Sequence, residues 1–355
     1  MSFWKRANSP VADKPPAAST KGPLAAIENL AAPGSCGPSS GAPSASSKAA
    51  SEASSGVGIE ALGRSESVQK LLSRMERLPS VPALYTQVLS ELARPQASIQ
   101  FVGRLISKDP AMTARILQMV NSAAFALPVP IAEPMEAVLH LGVERTKSLL
   151  LLAGLTLQFD SSVCPGFSHE ALWCHSLVVS GSARQLALLQ TKDANFAEMA
   201  YTAGLLHDVG KLMLAANLSE TYGQIIDQAA RRHIEVSQVE REIFDATHAE
   251  LAACLLTAWG LPASILDAIA WHHSPARSRD TGFSILTAVH VANAVEREKL
   301  LHKAGLLTNQ MDFPYLDSLG LTGQRNSWRE ACGFPVFVVD DPKKERVGLR
   351  QAVRG

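Results

Sequence analysis

The chain has 355 residues, with 33 Lys and Arg balanced by 33 Asp and Glu, so no general basic field exists to draw it to nucleic acid or anionic lipid. Apolar residues make up 46% and aromatic residues 6%, a composition that suits an aliphatic globular core. The longest apolar run, Leu149 to Leu157, is far short of the ~20 residues that cross a bilayer, so membrane insertion is not expected.

Residues 1–57 form the first segment. Pro, Gly, Ser and Ala supply 37 of its first 56 positions. Such a stretch buries too little apolar surface to offset ~1–2 kcal/mol of backbone entropy per residue, and it is expected to be a disordered tail. It opens MSFWKRANSP, without the apolar core of a secretory signal. Five cysteines, Cys36, Cys164, Cys174, Cys254 and Cys332, form neither a CxxC pair nor an even framework. Both features point to a cytoplasmic protein with reduced thiols.

From about Gly58 the pattern becomes helical. In LPSVPALYTQVLSEL the residues Leu84, Val88, Leu89 and Leu92 fall on one stripe. In DPAMTARILQMVNSAAF, Asp109 is a natural N-cap, Pro110 suits the first helical position, and Met112, Ile116, Met119 and Val120 form the apolar face. Pro128, Pro130 and Pro134 force a connector, after which a helix carries Val143 to Phe159. Longer helices are predicted near 168–190, 195–216, 219–232, 235–259, 262–273 and 284–300. The expected fold class is all-α. The expected parts are an N-terminal helical region at 58–165, a helical core at 166–304 and a loosely structured C-terminal extension at 305–355. FPVFVVDD at 334–341 is the one stretch with a strand-like pattern.

Polar residues on apolar stripes carry the chemical information. FAEMAYTAGLLHDVGKLMLAAN, residues 196–217, is apolar or small at most positions, as a buried central helix is, yet it contains His207, Asp208 and Lys211. Buried without partners, such groups cost several kcal/mol, so a metal ion or a polar network must satisfy them. His175 shares a stripe with Leu172 and Val179, and His248 with Leu251 and Leu255. His272 and His273 end the helix carrying Ile265 and Ile269, and Asn293 continues the stripe of Leu286 and Val289. Five helices thus send inward five histidines, an aspartate and an asparagine, the donor supply of a metal site in a helical core.

The order His175, His207-Asp208 in LLHDVGKL, His248, His272-His273 and a polar residue in VHVANAV resembles the HD superfamily of metal-dependent phosphohydrolases. LPSVPALYTQVLSEL, ISKDPAMTARILQMVNSAAF, AVLHLGVERTKSLLLLAGL and EREIFDATHAELAACLLTAWGLPASILDAIAWHH narrow the resemblance, over roughly residues 77–300, to the HDOD proteins, bacterial signalling domains related to those enzymes. The resemblance implies an N-terminal helical bundle packed on an HD-like helical core. It also implies that His175, His207, Asp208, His248, His272, His273 and Asn293 surround a divalent metal such as Fe, Mn, Mg or Ni. Asp208 and Lys211 would be the catalytic residues of any hydrolysis, with Lys211 neutralising phosphate charge. Catalytic HD enzymes carry an aspartate where this chain has Asn293, and the neutral amide removes one negative charge from a dication site. His272-His273 is followed by Ser274, Pro275 and Ala276 rather than a GYP motif, so cleavage of cyclic di-GMP is not supported.

The leading expectation is a signal-transduction protein that acts through its HDOD domain by binding a signalling protein partner. The alternative is a metal-dependent phosphohydrolase acting on a phosphomonoester or nucleotide. Short basic clusters such as Arg231-Arg232 and Lys343-Lys344 lack aromatic interleaving, so nucleic acid is not an expected partner.

Overall fold

The computed structural model describes residues 61–92, 94, 98–159, 163–303 and 310–333. The predicted tail at 1–57 and the strand-like stretch at 334–341 lie outside the described residues. Within them every regular element is a helix, and no helix is long and apolar enough to cross a membrane.

The N-terminal part comprises α1 (Glu66–Ser73), α2 (Ala83–Leu92), α3 (Ile99–Ser107), α4 (Pro110–Val120), α5 (Pro134–Leu141) and α6 (Val143–Gln158). Asp109 caps α4 by accepting the Met112 N–H, and Met112, Ile116, Met119 and Val120 are buried as their spacing predicts. Gly142, at φ 78°, makes the abrupt junction between α5 and α6 in a region that favours glycine. α6 is buried almost all round from Ser148 to Thr156, because α2, α4 and α5 cover one side while the core covers another. On α2, Leu84 and Val88 face inward but Leu89 is 38% exposed. Leu89 lies one residue, or about 100°, beyond Val88, which turns it off the buried stripe.

The core comprises α7 (His169–Thr191), α8 (Ala194–Leu206), α9 (Val209–Asn217), α10 (Ser219–Arg232), α11 (Val236–Phe244), α12 (His248–Ala258), α13 (Ala263–Trp271) and α14 (Ile285–Lys303). α7 packs along α8 and α14, α9 against α12, and α13 between α12 and α14. Two predicted long helices are broken. The stretch 195–216 divides at His207-Asp208 into α8 and α9, with Asp208 at φ −102° and ψ 4°. The stretch 235–259 divides where Asp245 turns left-handed at φ 54° and Thr247 starts a new helix. There the Thr247 side chain accepts the Glu250 N–H while the Glu250 carboxylate accepts the Thr247 N–H, so orphan donors at the start of α12 are satisfied. Apolar periodicity continues across both breaks, which is why it reads as single helices.

The C-terminal extension is ordered between 310 and 333, contrary to its faint periodicity. α15 (Phe313–Ser318) and α16 (Arg325–Ala331) bury Tyr315, Leu316 and Trp328 against the core. These apolar residues sit in helices too short to display a repeat.

Gly210 sets the approach of α9 to α12. A methyl group there would lie 2.0 Å from the carbonyl oxygen of His248, a backbone atom that cannot step aside cheaply. Gly210→Ala is expected to destabilise the fold by about 1–3 kcal/mol or more despite the higher helix propensity of alanine, read as a lower denaturation midpoint. A midpoint equal to or above that of wild type would show that α9 and α12 are not in this contact.

Candidate metal centre

The two helix breaks aim the polar residues. His175 projects from α7, His207 and Asp208 come from the α8–α9 break, and Lys211 follows one turn into α9. His248 is the first residue of α12, His272 and His273 follow the end of α13, and Asn293 comes from α14. All the predicted residues meet at one place. One ligand atom each from Asp208, His248, His272 and His273 lie within 4.8 Å of one another, and the same holds for His175, His207 and Asp208.

Asp208 joins the two groups. Its Oδ1 lies 3.1 Å from His248 Nε2 and 3.7 Å from His272 Nε2. Its Oδ2 lies 2.6 Å from Lys211 Nζ, 3.4 Å from His207 Nε2 and 3.7 Å from His175 Nε2. Burial acts to raise the Asp208 pKa, but the electrostatic influence of His207 and Lys211, with the close approach of His248, overcomes it and holds the carboxyl well below its ordinary range.

Backbone and carboxylate partners fix the histidine tautomers. His207 Nδ1–H donates to Gly204 O at 2.7 Å, and His272 Nδ1–H to Ile269 O at 2.8 Å. Their Nε2 atoms are left as buried lone pairs, and neither has a hydrogen-bond partner among the described residues. Burial drives both rings towards the neutral form, His207 most strongly. Neutral, oriented Nε2 donors with the opposite nitrogen tied to a second group are what metal-binding imidazoles require, and orphaned buried nitrogens are costly without such a role. The donor set therefore fits a cation.

His248 and His273 have carboxylate partners. His248 Nδ1 lies 2.7 Å from Glu240 Oε2, which also accepts the His248 backbone N–H at 2.8 Å. Burial lowers the His248 pKa, but Glu240 and Asp208 reverse this and leave it raised. His273 Nδ1 lies 2.7 Å from Glu235, and its Nε2 lies 3.3 Å from His248 Nε2. Burial, and then His272, pull the His273 pKa down to about 3. On the other side, Asn293 Oδ1 lies 3.1 Å from His175 Nε2.

Glu240, Glu235 and His290 belong to the site and were not singled out from sequence. A signal existed for Glu240, which interrupts the buried stripe of Val239 and Phe244 eight residues before His248. Glu235 and His290 carry no comparable mark. A cavity of about 250 Å³ opens beside His272, His273 and Asn293, with Glu235, Gln238 and Arg297 on its margin. Arg297 is held by Glu235 at 3.0 Å.

The model of the HDOD domain family matches residues 78–275. An uncharacterized protein of Treponema pallidum is 25% identical over 227 residues, 64% of this chain but only 44% of that protein, so the match spans less than half of that relative's length. An HDOD domain protein of unknown function from Geobacter sulfurreducens is 23% identical and superposes with a TM-score of 0.55, covering 77% of this chain and 98% of its own. A protein of Shewanella amazonensis named as a candidate phosphohydrolase is 19% identical with a TM-score of 0.51, covering 76% and 98%. A Marinobacter aquaeolei protein named as a candidate signal transduction protein is 20% identical with a TM-score of 0.53, covering 72% and 56%. These likenesses establish the shared all-helical fold.

His175, His207, His272 and His273 all have pKa values lowered from 6.5 in the folded chain. On acidification the unfolded chain takes up protons at these four positions first, so each removes stability as pH falls below 6.5. His248 opposes them, because its raised value adds stability below 6.5 that is lost as pH rises through the folded value. His290, also lowered, acts with these four, while Asp267, which burial raises to about 7, acts with His248 by gaining stability as pH falls. Five groups against two give a net loss, so metal-free protein should lose unfolding free energy between about pH 7.5 and about pH 5. Urea titrations across that window check this, and constant or rising stability would contradict the neutral-histidine site.

Proposed function

The chain belongs to the HDOD family, and we propose that it is a signalling protein whose HDOD domain binds partner proteins around a core held by one divalent metal. The observation that carries the metal is the buried His272 Nε2 lone pair beside Asp208, within the group of Asp208, His248, His272 and His273 whose ligand atoms lie within 4.8 Å of one another. Asp208, His248, His272 and His273 would hold the ion. His175, His207 and Asn293 would flank it on the Lys211 side. An imidazole-rich set with one carboxylate favours Fe or Ni over Mg, which prefers oxygen ligands.

Charge argues for a single ion. Asp208 and Glu240 are the buried anions nearest the cluster, and the Lys211 ammonium already neutralises one of them at 2.6 Å. One dication leaves a small net positive charge in the core, whereas two would leave a large one at a site where burial of unbalanced charge is costly. An aspartate in place of Asn293 would have supplied the missing anion. With one ion, and with Lys211 committed to Asp208, the two-metal clamp on attacking and leaving oxygens is not assembled, which favours a binding role over hydrolysis.

The phosphohydrolase reading is supported by the cavity beside His272 and His273, which gives a small ligand access to the cluster. In that reading Asp208 and the histidines would hold a metal, which when bound would lower the pKa of a water, Arg297 on the cavity margin would meet the anionic group, and Lys211 would neutralise charge beside Asp208.

Elemental analysis of the full chain purified without chelator should give about one equivalent of Fe or Ni, lost in Asp208→Asn. A phosphoester panel with Mn, Fe, Mg and Ni added should show no turnover. Full chain lacking metal would refute the metal-held core, and turnover abolished by Asp208→Asn would install the enzyme reading instead. Co-purification of a specific partner, lost on deletion of the HDOD domain, is expected, and a chain that captures none in any form would count against the signalling role. In the same assay Asn293→Asp should raise metal occupancy, because it restores an anionic ligand on the Lys211 side. A lower melting temperature that added metal does not rescue would instead mark that side as a closed polar core.

A further inference from the structure

His290 lies on α14 one turn before Asn293 and is only 5% exposed. Its Nδ1–H donates to the carbonyl oxygen of His272 at 2.8 Å, while its Nε2 accepts the backbone N–H of Asp312 at 3.0 Å. One imidazole thus ties the end of α13, which carries a candidate ligand, to the segment leading into α15. Glu298 makes a second tie: its Oε1 accepts the Gln310 N–H at 3.0 Å and its Oε2 pairs with Arg329 Nη2 at 2.8 Å. Between these ties Met311 is buried, and Gln310, Met311 and Asp312 line the cavity that also exposes His272, His273 and Asn293.

We infer that residues 310–312 are a built wall of the metal cavity, and that His290 is a positioning residue holding both this wall and His272. The inference rests on the metal reading above. The carbonyl of His272 follows the last turn of a helix, where carbonyls have no intrahelical N–H to accept from, so an outside donor must satisfy it. His290 is that donor, and its other nitrogen is then necessarily the acceptor that fixes Asp312. The ring of His272 is fixed by Ile269 and its backbone by His290. Metal ligands need this kind of support, since displacement by about half an ångström degrades a site. Occupation of one wall by the C-terminal segment also limits what can reach the metal to molecules that fit the remaining opening.

The test compares full-length wild type, His290→Leu, His290→Gln and Met311→Ala, with Co(II) as probe and circular dichroism to confirm folding. EDTA should strip Co(II) about tenfold faster or more from His290→Leu, with a shifted visible ligand-field band. His290→Gln, which keeps one donor and one acceptor, should restore most of both properties. Met311→Ala thins the wall without touching either tie, and should accelerate stripping while leaving the band in place. It also keeps the test decisive if His290→Leu does not fold. In metal-free protein, modification of His272 by diethyl pyrocarbonate, mapped by mass spectrometry, should accelerate in His290→Leu and Met311→Ala alike. Folded variants with wild-type stripping, band and His272 modification would overturn the inference. Wild type that takes up no Co(II) would refute the metal reading alone, and the His272 modification rates would then decide whether the wall exists.

Discussion

Asp208 is a carboxylate buried at the centre of a helical core, and the arrangement of the core follows from the need to satisfy it. An isolated charge in that position would cost many kcal/mol, so it either takes a proton or gathers positive and hydrogen-bonding groups around it. This chain does the second. Lys211 meets one oxygen, while His248 and His272 approach the other. These groups come from α9, α12 and the end of α13, so satisfying one side chain fixes how three helices sit. Glu240 and Glu235 extend the same logic outward by holding the far nitrogens of His248 and His273.

The backbone makes this convergence possible. A continuous helix over 195–216 would spread His207 and Asp208 about 100° apart around one axis, with Lys211 following in regular register. The break after Leu206 instead starts a second helix at Val209, which lies against the start of α12 because Gly210 has no side chain. The break before Thr247 similarly places His248 at a helix N-terminus, where its backbone N–H has no intrahelical partner and is taken by Glu240.

The fold class is legible from helical periodicity, and the seven residues expected as donors stand out because each interrupts an apolar stripe, an interruption visible at single-residue resolution; the structure brings them together, whatever they hold. The helix breaks were not legible, since apolar residues continue across them and no proline or adjacent glycine pair marks the turn. Leu89 misled for a related reason: four apolar residues in one helix fix a stripe only to within its width, and the neighbours decide which edge is covered. Glu235 and His290 escaped because their roles depend on partners 38 and 22 residues away, His273 and Asp312. Trp328 and Leu316 escaped because short helices have no repeat to detect.

The region that matches the HDOD family ends at residue 275, yet the cavity beside the histidine–aspartate cluster does not. The matched region contains His175, the His207-Asp208 break, His248, His272 and His273, and therefore every histidine and the aspartate of the cluster. Beyond it, α14 supplies Asn293, His290 and Arg297, and the segment after 310 supplies a wall. The site is thus divided between a part that fixes donor positions and a part that fixes charge and access. Asn293 belongs to the second part, and its neutral amide changes the charge of the centre without disturbing the histidine geometry. A core built this way keeps its buried histidine–aspartate cluster fixed while the flanking helix and C-terminal segment set what reaches it.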